Sequence, residues 1–257
     1  MDNEHQSIHE FDFEMITEYY SNLERQGPGS PEVTIKALSF IDNLTSESQI
    51  VDIGCGSGSQ TMVLAENTSG AITGIDLSHT FIDIFLNKSI QFKVQDRVRG
   101  VVGSMENLSF ENETLDLIWS EGAIYNIGFE RGINEWNRFI KHGGYLAVSE
   151  ASWFTEERPS EIEEYWKDAY PEIDTISNKV SQIQKAGYVP IANFVLPEDC
   201  WIKNFYDPQV SVQKEFLKKY AGNKTAEMFV ESERHEAKLY NKYKEYYGYV
   251  FYIMKKI

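Results

Sequence analysis

A glycine-rich turn in the first quarter of the chain is the segment best suited to hold a ligand. Residues 50–59 read IVDIGCGSGS, an apolar run that ends in Gly54, Gly56 and Gly58, and a helical pattern follows over residues 60–67. A turn without Cβ atoms lets a ligand approach the backbone closely. The free N–H groups and the positive end of the following helix then face that ligand. The sequence therefore predicts a ligand site at this turn.

An acidic residue stands at the end of the next apolar run. In the segment GIDLS, Asp76 follows Gly54 by 76 − 54 = 22 residues, and a carboxylate there can accept two hydrogen bonds from ribose hydroxyls. The dinucleotide fingerprint G-x-G-x-x-G is not met, because its third glycine position falls on Ser59 or on Thr61. No lysine follows the turn in the manner of a P-loop. These elements predict an adenosine-like ligand that is not anchored through a pyrophosphate.

The elements that must position these residues alternate along the chain. Apolar runs typical of buried parallel strands occupy residues 49–53, 71–75, 99–102, 115–119 and 145–148. Helical patterns occupy residues 31–41, 60–67, 80–89 and 132–140, while residues 106–113 are too short for a full crossover helix and are read as loop or partial helix. The alternation predicts a doubly wound α/β sheet, in which ligands bind at the carboxyl ends of the strands.

The two ends of the chain add helices to this core. Residues 1–26 carry an apolar stripe from Phe11 to Leu23, which suits one or two short amphipathic helices. After the core, the sequence predicts helices over 160–170, 178–186 and 210–246 and strands over 191–196 and 247–254. We therefore expect one domain over residues 1–257, with a lid of 1–30, a cofactor-binding core of 31–158, and a C-terminal part of 159–257 whose helical insertion covers about 208–246.

Five ordered segments together resemble one enzyme family. They are VDIGCGSG, GIDLS, VVGSMENLSF, LDLIWSEGAIYNIG and IKHGGYLAVSE. Over residues 34–153 the chain resembles the class I S-adenosylmethionine-dependent methyltransferases of the small-molecule type. Within that family its sequence is similar to the ubiquinone/menaquinone-biosynthesis group. The resemblance implies S-adenosyl-L-methionine as cofactor, a Rossmann-like seven-stranded sheet whose last strand is antiparallel, and an N-terminal helix that closes over the cofactor. Where the family usually has an aspartate beside the adenine, this chain has Ser104 and Met105.

The resemblance, the ends of the predicted strands and the concentration of aromatic residues late in the chain indicate which residues contact ligands. Cofactor contacts are expected from Tyr20, Asp52, Gly54, Cys55, Gly56, Gly58, Asp76, Leu77, Ser104, Met105, Ser120 and Glu121. A substrate pocket is expected from Tyr125, Asn126, Trp153 and Trp201, joined by Trp166, Tyr170 and Phe205. Glu121 and Glu150, at the ends of the fourth and fifth strands, are the candidate catalytic residues. The plainer alternatives are that Asp52 serves only stability, that Tyr20 packs, that Glu121 is a solvated loop carboxylate, and that the aromatic residues merely pack the insertion.

The composition of the chain disfavours several classes of binding partner. The 40 acidic residues outnumber the 24 basic ones, giving a net charge of -16, which argues against a broad nucleic-acid surface or anionic lipid. No apolar run is long enough to span a membrane, and no leader segment is recognisable. Two cysteines, Cys55 and Cys200, exclude a disulfide scaffold and cysteine-rich zinc clusters, so we expect a cytoplasmic protein without a metal.

These observations favour methyl transfer by in-line displacement to a small organic acceptor, with an aromatic or quinone-like molecule as one candidate. Two alternatives stay open at this point. An NAD-dependent oxidoreductase is disfavoured by the missing third glycine. A non-catalytic regulator that only binds the cofactor is compatible with the same motifs. The chain is expected to be a monomer or a homodimer.

Overall fold

The computed structural model describes residues 12–257, which contain a sheet of eight strands. The strands are β1 (Gln49–Ile53), β2 (Ala71–Asp76), β3 (Val98–Val102), β4 (Leu115–Glu121), β5 (Ile140–Trp153), β6 (Asp174–Thr175), β7 (Tyr188–Val195) and β8 (Tyr247–Lys256). Their order is β3-β2-β1-β4-β5-β8-β7, and the short β6 pairs with the far end of β5. β8 is antiparallel to β5 and β7, and the other pairings are parallel. The predicted sheet with an antiparallel last strand is confirmed, and β6 is an addition.

Two strands extend beyond their predicted ends. β4 continues to Glu121, and β5 runs from Ile140 to Trp153, five residues beyond each end of the apolar run. Pairing holds these extensions, because Glu121 lies opposite Ser149 and Trp153 lies opposite Tyr247. Cross-strand hydrogen bonds define a strand, so hydropathy alone made both strands too short.

Helices cover the sheet and its carboxyl edge. They are α1 (Phe13–Ser21), α2 (Pro31–Leu38), α3 (Ser59–Asn67), α4 (His79–Gln91), α5 (Phe129–Asn137), α6 (Ser160–Ala169), α7 (Ile176–Lys185), α8 (Glu198–Trp201), α9 (Asp207–Lys219) and α10 (Lys224–Tyr243). A 3₁₀ turn occupies Ile124–Asn126, and a π-helical turn at Ile202–Tyr206 joins α8 to α9. The hydroxyl of Ser30 accepts a hydrogen bond from the Val33 amide at 3.3 Å, which caps α2.

Two helix predictions need correction, whereas residues 106–113, read as loop or partial helix, form a loop with turns. The pattern over 132–140 ends as a helix at Asn137, because Ile140 already pairs with β4. The excursion over 210–246 is broken into α9 and α10, because Gly222 takes a left-handed φ of 81° and the side chain of Asn223 starts a new helix by accepting from the Ala226 amide at 3.1 Å.

The centre of the sheet is buried on both faces, as parallel sheets generally are. Along β1, Ile50 packs into an apolar cluster with Leu64, whereas Val51 and Ile53 pack into a second cluster with Ile118 on the opposite face. This burial fixes which side chains reach the carboxyl edge of the sheet. Within residues 12–257 no helix combines the length and the apolar character needed to cross a membrane.

The N-terminal helix α1 lies against the late helices. The side chain of Asp12 caps it by accepting from the Glu14 amide at 2.9 Å. The ring of Tyr19 packs edge-on against Phe216 and Phe229, with centroids 5.2 Å and 5.0 Å away. The helix is thereby held across the carboxyl edge of the sheet. Phe11, the first residue of the predicted apolar stripe, lies outside the described residues.

Candidate functional site

The glycine turn between β1 and α3 adopts backbone conformations that glycine takes without strain and that other residues disfavour. Gly54, Gly56 and Gly58 have φ values of 71°, 53° and 85°, in the left-handed region that residues with a Cβ avoid. A Cβ on Gly54 would stand 2.4 Å from the Cβ of Ala123. The amides of Gly54 and Cys55 donate to the Ile75 carbonyl at 2.8 Å and 3.0 Å, which fixes the turn to β2.

Asp76 organises the same turn from the end of β2. Its carboxylate accepts hydrogen bonds from the amides of Gly56 and Ser78, both at 2.9 Å. Burial raises the pKa of Asp76, and these amide bonds partly oppose the rise. The carboxylate lines the cavity described next, so its remaining lone pairs are available to a ligand.

A cavity of about 460 Å³, termed here the outer cavity, opens above this turn. That volume is within the range of small-molecule sites. Sequence-predicted cofactor residues line it, namely Tyr20, Gly54, Cys55, Gly56, Asp76, Leu77, Ser104, Met105 and Glu121. The predicted pocket residues Tyr125 and Asn126 line it as well. Ser104 and Met105 therefore stand on the cavity wall in the place of the family's aspartate.

Glu121 lies on the wall of the outer cavity with both carboxylate oxygens engaged. Oε2 accepts from Nη2 of Arg25 at 2.5 Å, and Oε1 accepts from Thr34 Oγ1 at 2.6 Å and Trp119 Nε1 at 3.0 Å. The side chains of Arg25 and Glu121 are only 9% and 4% exposed. The ion pair holds the Arg25 guanidinium on the cavity wall. Sequence reasoning missed Arg25, because no motif links residues so far apart in the chain.

A second, smaller cavity of about 160 Å³, termed the inner cavity, adjoins the first. Both cavities are lined by Tyr20, Gln26, Gly27, Pro28, Gly122 and Tyr125. The rest of the inner wall is rich in aromatic rings, which are Tyr165, Trp166, Tyr170, Trp201, Phe205, Phe229 and Tyr249. An apolar cavity of about 150 Å³ accepts a benzene-sized molecule, so the inner cavity suits a small organic group.

Two carboxyl groups on α10 also line the inner cavity. Glu233 accepts a hydrogen bond from the Tyr20 hydroxyl at 2.9 Å, and Glu236 accepts one from the Tyr206 hydroxyl at 2.9 Å. Burial raises the pKa of both groups, and the charge of Glu236 raises that of Glu233 further. Sequence reasoning missed this pair. The signal was its spacing, since Phe229, Glu233 and Glu236 fall on one face of a helix.

A raised carboxyl pKa lowers stability at high pH, and this gives a first prediction. Between the ordinary and the raised pKa the folded state binds more protons than the unfolded state, so the free energy of unfolding falls as pH rises. Glu233→Gln removes that dependence while keeping an acceptor for Tyr20. We expect the melting temperature of the variant minus that of the parent to be at least ~3 °C larger at pH 8.5 than at pH 5.5. Calorimetric scans at both pH values measure this change, and Glu231→Gln is the solvent-facing control on the same helix. A difference in melting temperature between Glu233→Gln and the parent that is the same at both pH values would contradict the prediction.

Several predicted contact residues lie outside both cavities. Asp52 sits beneath the glycine turn and accepts a hydrogen bond from Thr61 Oγ1 at 2.5 Å. Ser120 donates to the Ile53 carbonyl at 2.9 Å. Gly58 packs against Phe85 at the start of α3. These three residues shape the turn from behind and do not reach the space in front of it.

Trp153 also stands away from the inner cavity that it was expected to line. Its ring packs against Tyr247, with centroids 6.0 Å apart, and the Arg158 guanidinium lies 4.3 Å above it. The other two predicted tryptophans, Trp166 and Trp201, do line the cavity. Trp153 is separated from them because β5 extends to this residue and holds it within the sheet.

Glu150, expected at the reaction site, is instead part of a buried ion pair behind the inner cavity. Its Oε1 accepts from Lys179 Nζ at 3.0 Å and from the Tyr170 hydroxyl at 2.6 Å. Glu150 and Lys179 are each 1% exposed. Since the ring of Tyr170 lines the inner cavity, this pair fixes part of the cavity wall without lining the cavity itself.

Comparison with known proteins agrees with this geometry. Residues 51–148 match the family model described as a methyltransferase domain. A tRNA (carboxymethyluridine(34)-5-O)-methyltransferase of Arabidopsis thaliana is 29% identical over 135 residues, which are 51% of this chain and 30% of that protein. A demethylmenaquinone methyltransferase of Lactiplantibacillus plantarum is 29% identical over 113 residues, which are 43% of this chain and 48% of that protein. The matches therefore span less than half the length of these curated relatives.

A solved structure extends the similarity to the whole fold. The S-adenosylmethionine-dependent methyltransferase from Geobacter sulfurreducens, in complex with S-adenosyl-L-homocysteine, superposes with a TM-score of 0.82. It is 17% identical, and the alignment covers 96% of this chain and 99% of that one. The glycine turn, the carboxylate of Asp76 beside it and the sheet order thus occur together in this chain. The chain therefore matches a methyltransferase domain over residues 51–148 and shares the fold of an S-adenosylmethionine-dependent methyltransferase.

Proposed function

We propose that the chain transfers a methyl group from S-adenosyl-L-methionine, bound in the outer cavity, to a small organic acceptor bound in the inner cavity. The observation that carries the proposal is that the two cavities adjoin and share lining residues, among them Tyr20 and Tyr125. A donor in one cavity would therefore lie next to an acceptor in the other, which is the main requirement of an in-line displacement.

The residues of the outer cavity suit each part of the cofactor. Asp76 is placed to accept the ribose hydroxyls, and the turn at Gly54 and Gly56 leaves room for the ligand to approach the backbone. Leu77 and Met105 offer apolar contact for the adenine ring. Arg25 is the cationic side chain on the described part of the wall, and it suits the methionine carboxylate. When bound, the cofactor supplies an electrophilic methyl group on a sulfonium centre.

The chain's own residues then position the acceptor and exclude water. Tyr20 and Tyr125 border both cavities, and the rings of Trp166, Trp201 and Phe205 wall the inner one. Glu121 serves by fixing Arg25, because its oxygens already accept three hydrogen bonds. Glu150 serves as a positioning residue for Tyr170.

The identity of the acceptor does not follow from the relatives. One acts on a tRNA nucleoside and the other on demethylmenaquinone, and such functions are separable from a shared fold. The net charge of -16 favours a small acceptor over a polyanionic one.

The compartment and the organisation of the chain are further parts of the proposal. The buried free thiols of Cys55 and Cys200 support a location in the reducing cytoplasm. We further propose one domain over 1–257 as a monomer or homodimer, since one continuous sheet carries both cavities.

Calorimetry and a transfer assay test the proposed function. We expect S-adenosyl-L-methionine and S-adenosylhomocysteine to bind, and tritium from the labelled methyl group to enter a small-molecule acceptor library. Binding of NAD without binding of the methyl donor would favour the oxidoreductase alternative. Cofactor binding without any S-adenosylhomocysteine formation across the library would favour the regulator. A crystal structure with S-adenosylhomocysteine would show whether Asp76 meets the ribose.

A charge-removing variant tests the role of Arg25. We expect Arg25→Met to weaken binding of S-adenosylhomocysteine about tenfold or more, because a charge-assisted bond to the carboxylate is lost. Binding of 5′-methylthioadenosine, which has no carboxylate, serves as the matched control and should change less than about threefold. An equal loss for both ligands would show that Arg25 acts only by holding the fold of the wall.

A further inference from the structure

We propose, building on the proposed function, that the acceptor in the inner cavity is a small organic amine that binds in its protonated, cationic form, recognised by Glu233, Glu236 and the rings around them. The inference concerns the substrate class of the inner cavity. It can fail while methyl transfer itself stands.

The first argument is the charge of the inner wall. Glu233 is 7% exposed, yet within residues 12–257 no lysine or arginine lies within 4.0 Å of its carboxyl or of that of Glu236. Buried carboxylates are costly unless a counter-charge or a proton accompanies them. Asp168 on the same wall adds a third acidic group. A bound organic cation supplies the missing counter-charge.

The second argument is the direction of the hydrogen bonds. The hydroxyls of Tyr20 and Tyr206 donate to the two carboxyls, and the Tyr165 hydroxyl donates to Glu236 at 3.4 Å. Burial raises the pKa of all three phenols, so they remain donors. The carboxyls are therefore presented as acceptors, which matches the N–H groups of an ammonium ion.

The third argument is the aromatic lining. The faces of Trp, Tyr and Phe attract cations, most strongly where water is excluded. Trp201 stacks on Tyr240 with centroids 4.5 Å apart, and Tyr165 packs edge-on against Trp166 at 5.5 Å. These contacts hold the rings as a fixed wall. A cavity of about 160 Å³ with such a wall fits an alkylammonium group.

The carboxyls of Glu233 and Glu236 also lie close to where the bound ammonium ion would release a proton. Tyr20 borders both cavities, and its hydroxyl bonds to Glu233, so this carboxyl is close to the junction. An ammonium ion must lose one proton before its nitrogen has a lone pair. The carboxylate of Glu233 is placed to take that proton, leaving a neutral amine facing the outer cavity and a neutral carboxyl behind it.

A pair of matched probes tests the inference on the full chain saturated with S-adenosylhomocysteine. N,N-dimethylethanolamine is protonated at neutral pH and carries one N–H group, and 3-methylbutan-1-ol has the same shape with carbon in place of the charged nitrogen. We expect N,N-dimethylethanolamine to bind at least about tenfold more tightly, measured by calorimetry and by the fluorescence of the cavity tryptophans. Equal or tighter binding of the neutral alcohol would overturn the inference and favour an uncharged acceptor.

Variants separate the carboxyl pair from the rest of the protein. Glu233→Gln and Glu236→Gln should each reduce the preference for N,N-dimethylethanolamine to less than about threefold, with unchanged affinity for S-adenosylhomocysteine. Glu231→Gln, which removes the same charge from an exposed position on α10, should leave the preference intact. If Glu233→Gln weakened S-adenosylhomocysteine binding instead, the pair would serve the cofactor and the inference would be wrong. If the parent failed to bind S-adenosylhomocysteine at all, the proposed function would fail rather than the choice of acceptor.

Discussion

Replacing Asp76 with asparagine is expected to weaken S-adenosylhomocysteine binding by about 100-fold. The carboxylate is placed to accept two ribose hydroxyls, and each charge-assisted bond contributes about 1.5–3 kcal/mol, so losing the charge costs at least two factors of ten. The same carboxylate accepts from the amides of Gly56 and Ser78. The variant therefore also loosens the glycine turn, and both effects act in the same direction.

Calorimetry with purified protein measures this loss directly. Asp83→Asn is the control, because Asp83 is exposed on the neighbouring helix α4 and changes the net charge equally. We expect that control to bind within about twofold of the parent. An Asp76→Asn protein that remained folded and bound normally would remove Asp76 from the site and would require another residue to hold the ribose.

Replacing Lys179 with methionine is expected to give the largest loss of stability. The variant leaves the carboxylate of Glu150 buried without its counter-charge, and breaking such a pair costs about 3–5 kcal/mol. For a chain of this size that corresponds to a fall in melting temperature of roughly 6–20 °C. The Tyr170 hydroxyl still donates to Glu150, but one neutral donor does not replace a cation.

Two further variants show whether the loss comes from the unpaired charge. Lys203→Met removes an exposed lysine that pairs with Asp199 at 2.7 Å, and we expect a change of less than about 2 °C. The double variant Glu150→Gln, Lys179→Met removes both charges and should recover at least about half of the loss. A single variant that melted like the Lys203 control would contradict the assigned role of the pair.

The glycine turn of the outer cavity could be predicted because its signals are local. Gly54, Gly56 and Gly58 are needed for their backbone conformation, and that need is written in consecutive residues. Asp76 follows at the end of the next strand, and the order of the strands places it beside the turn. Strand–helix alternation indicated the sheet for the same reason, since each element reports its own burial.

Long-range contacts in both cavities could not be predicted in the same way. In the inner cavity Tyr20 meets Glu233 across 213 positions of sequence, and in the outer cavity Arg25 meets Glu121 across 96. No periodic pattern records such a contact. Glu150 shows a different difficulty, because the predicted run stopped at residue 148 while β5 continues to Trp153. A residue that seemed to follow the strand is therefore inside it, where alternation turns its side chain away from the cavities.

The antiparallel pairing of β7 with β8 has a consequence for how this chain can evolve. Val195 lies opposite Val250, and the Leu196 amide donates to the Tyr249 carbonyl at 2.9 Å, so the chain departs from and returns to the sheet at one bonded pair of strands. The helices between them supply much of the inner wall, including Trp201 and Glu233. That stretch can lengthen, shorten or be exchanged by recombination without altering strand order or the glycine turn. Under the proposed function, changes in this stretch would alter the part of the acceptor cavity that holds Trp201 and Glu233 and would leave the glycine turn in place.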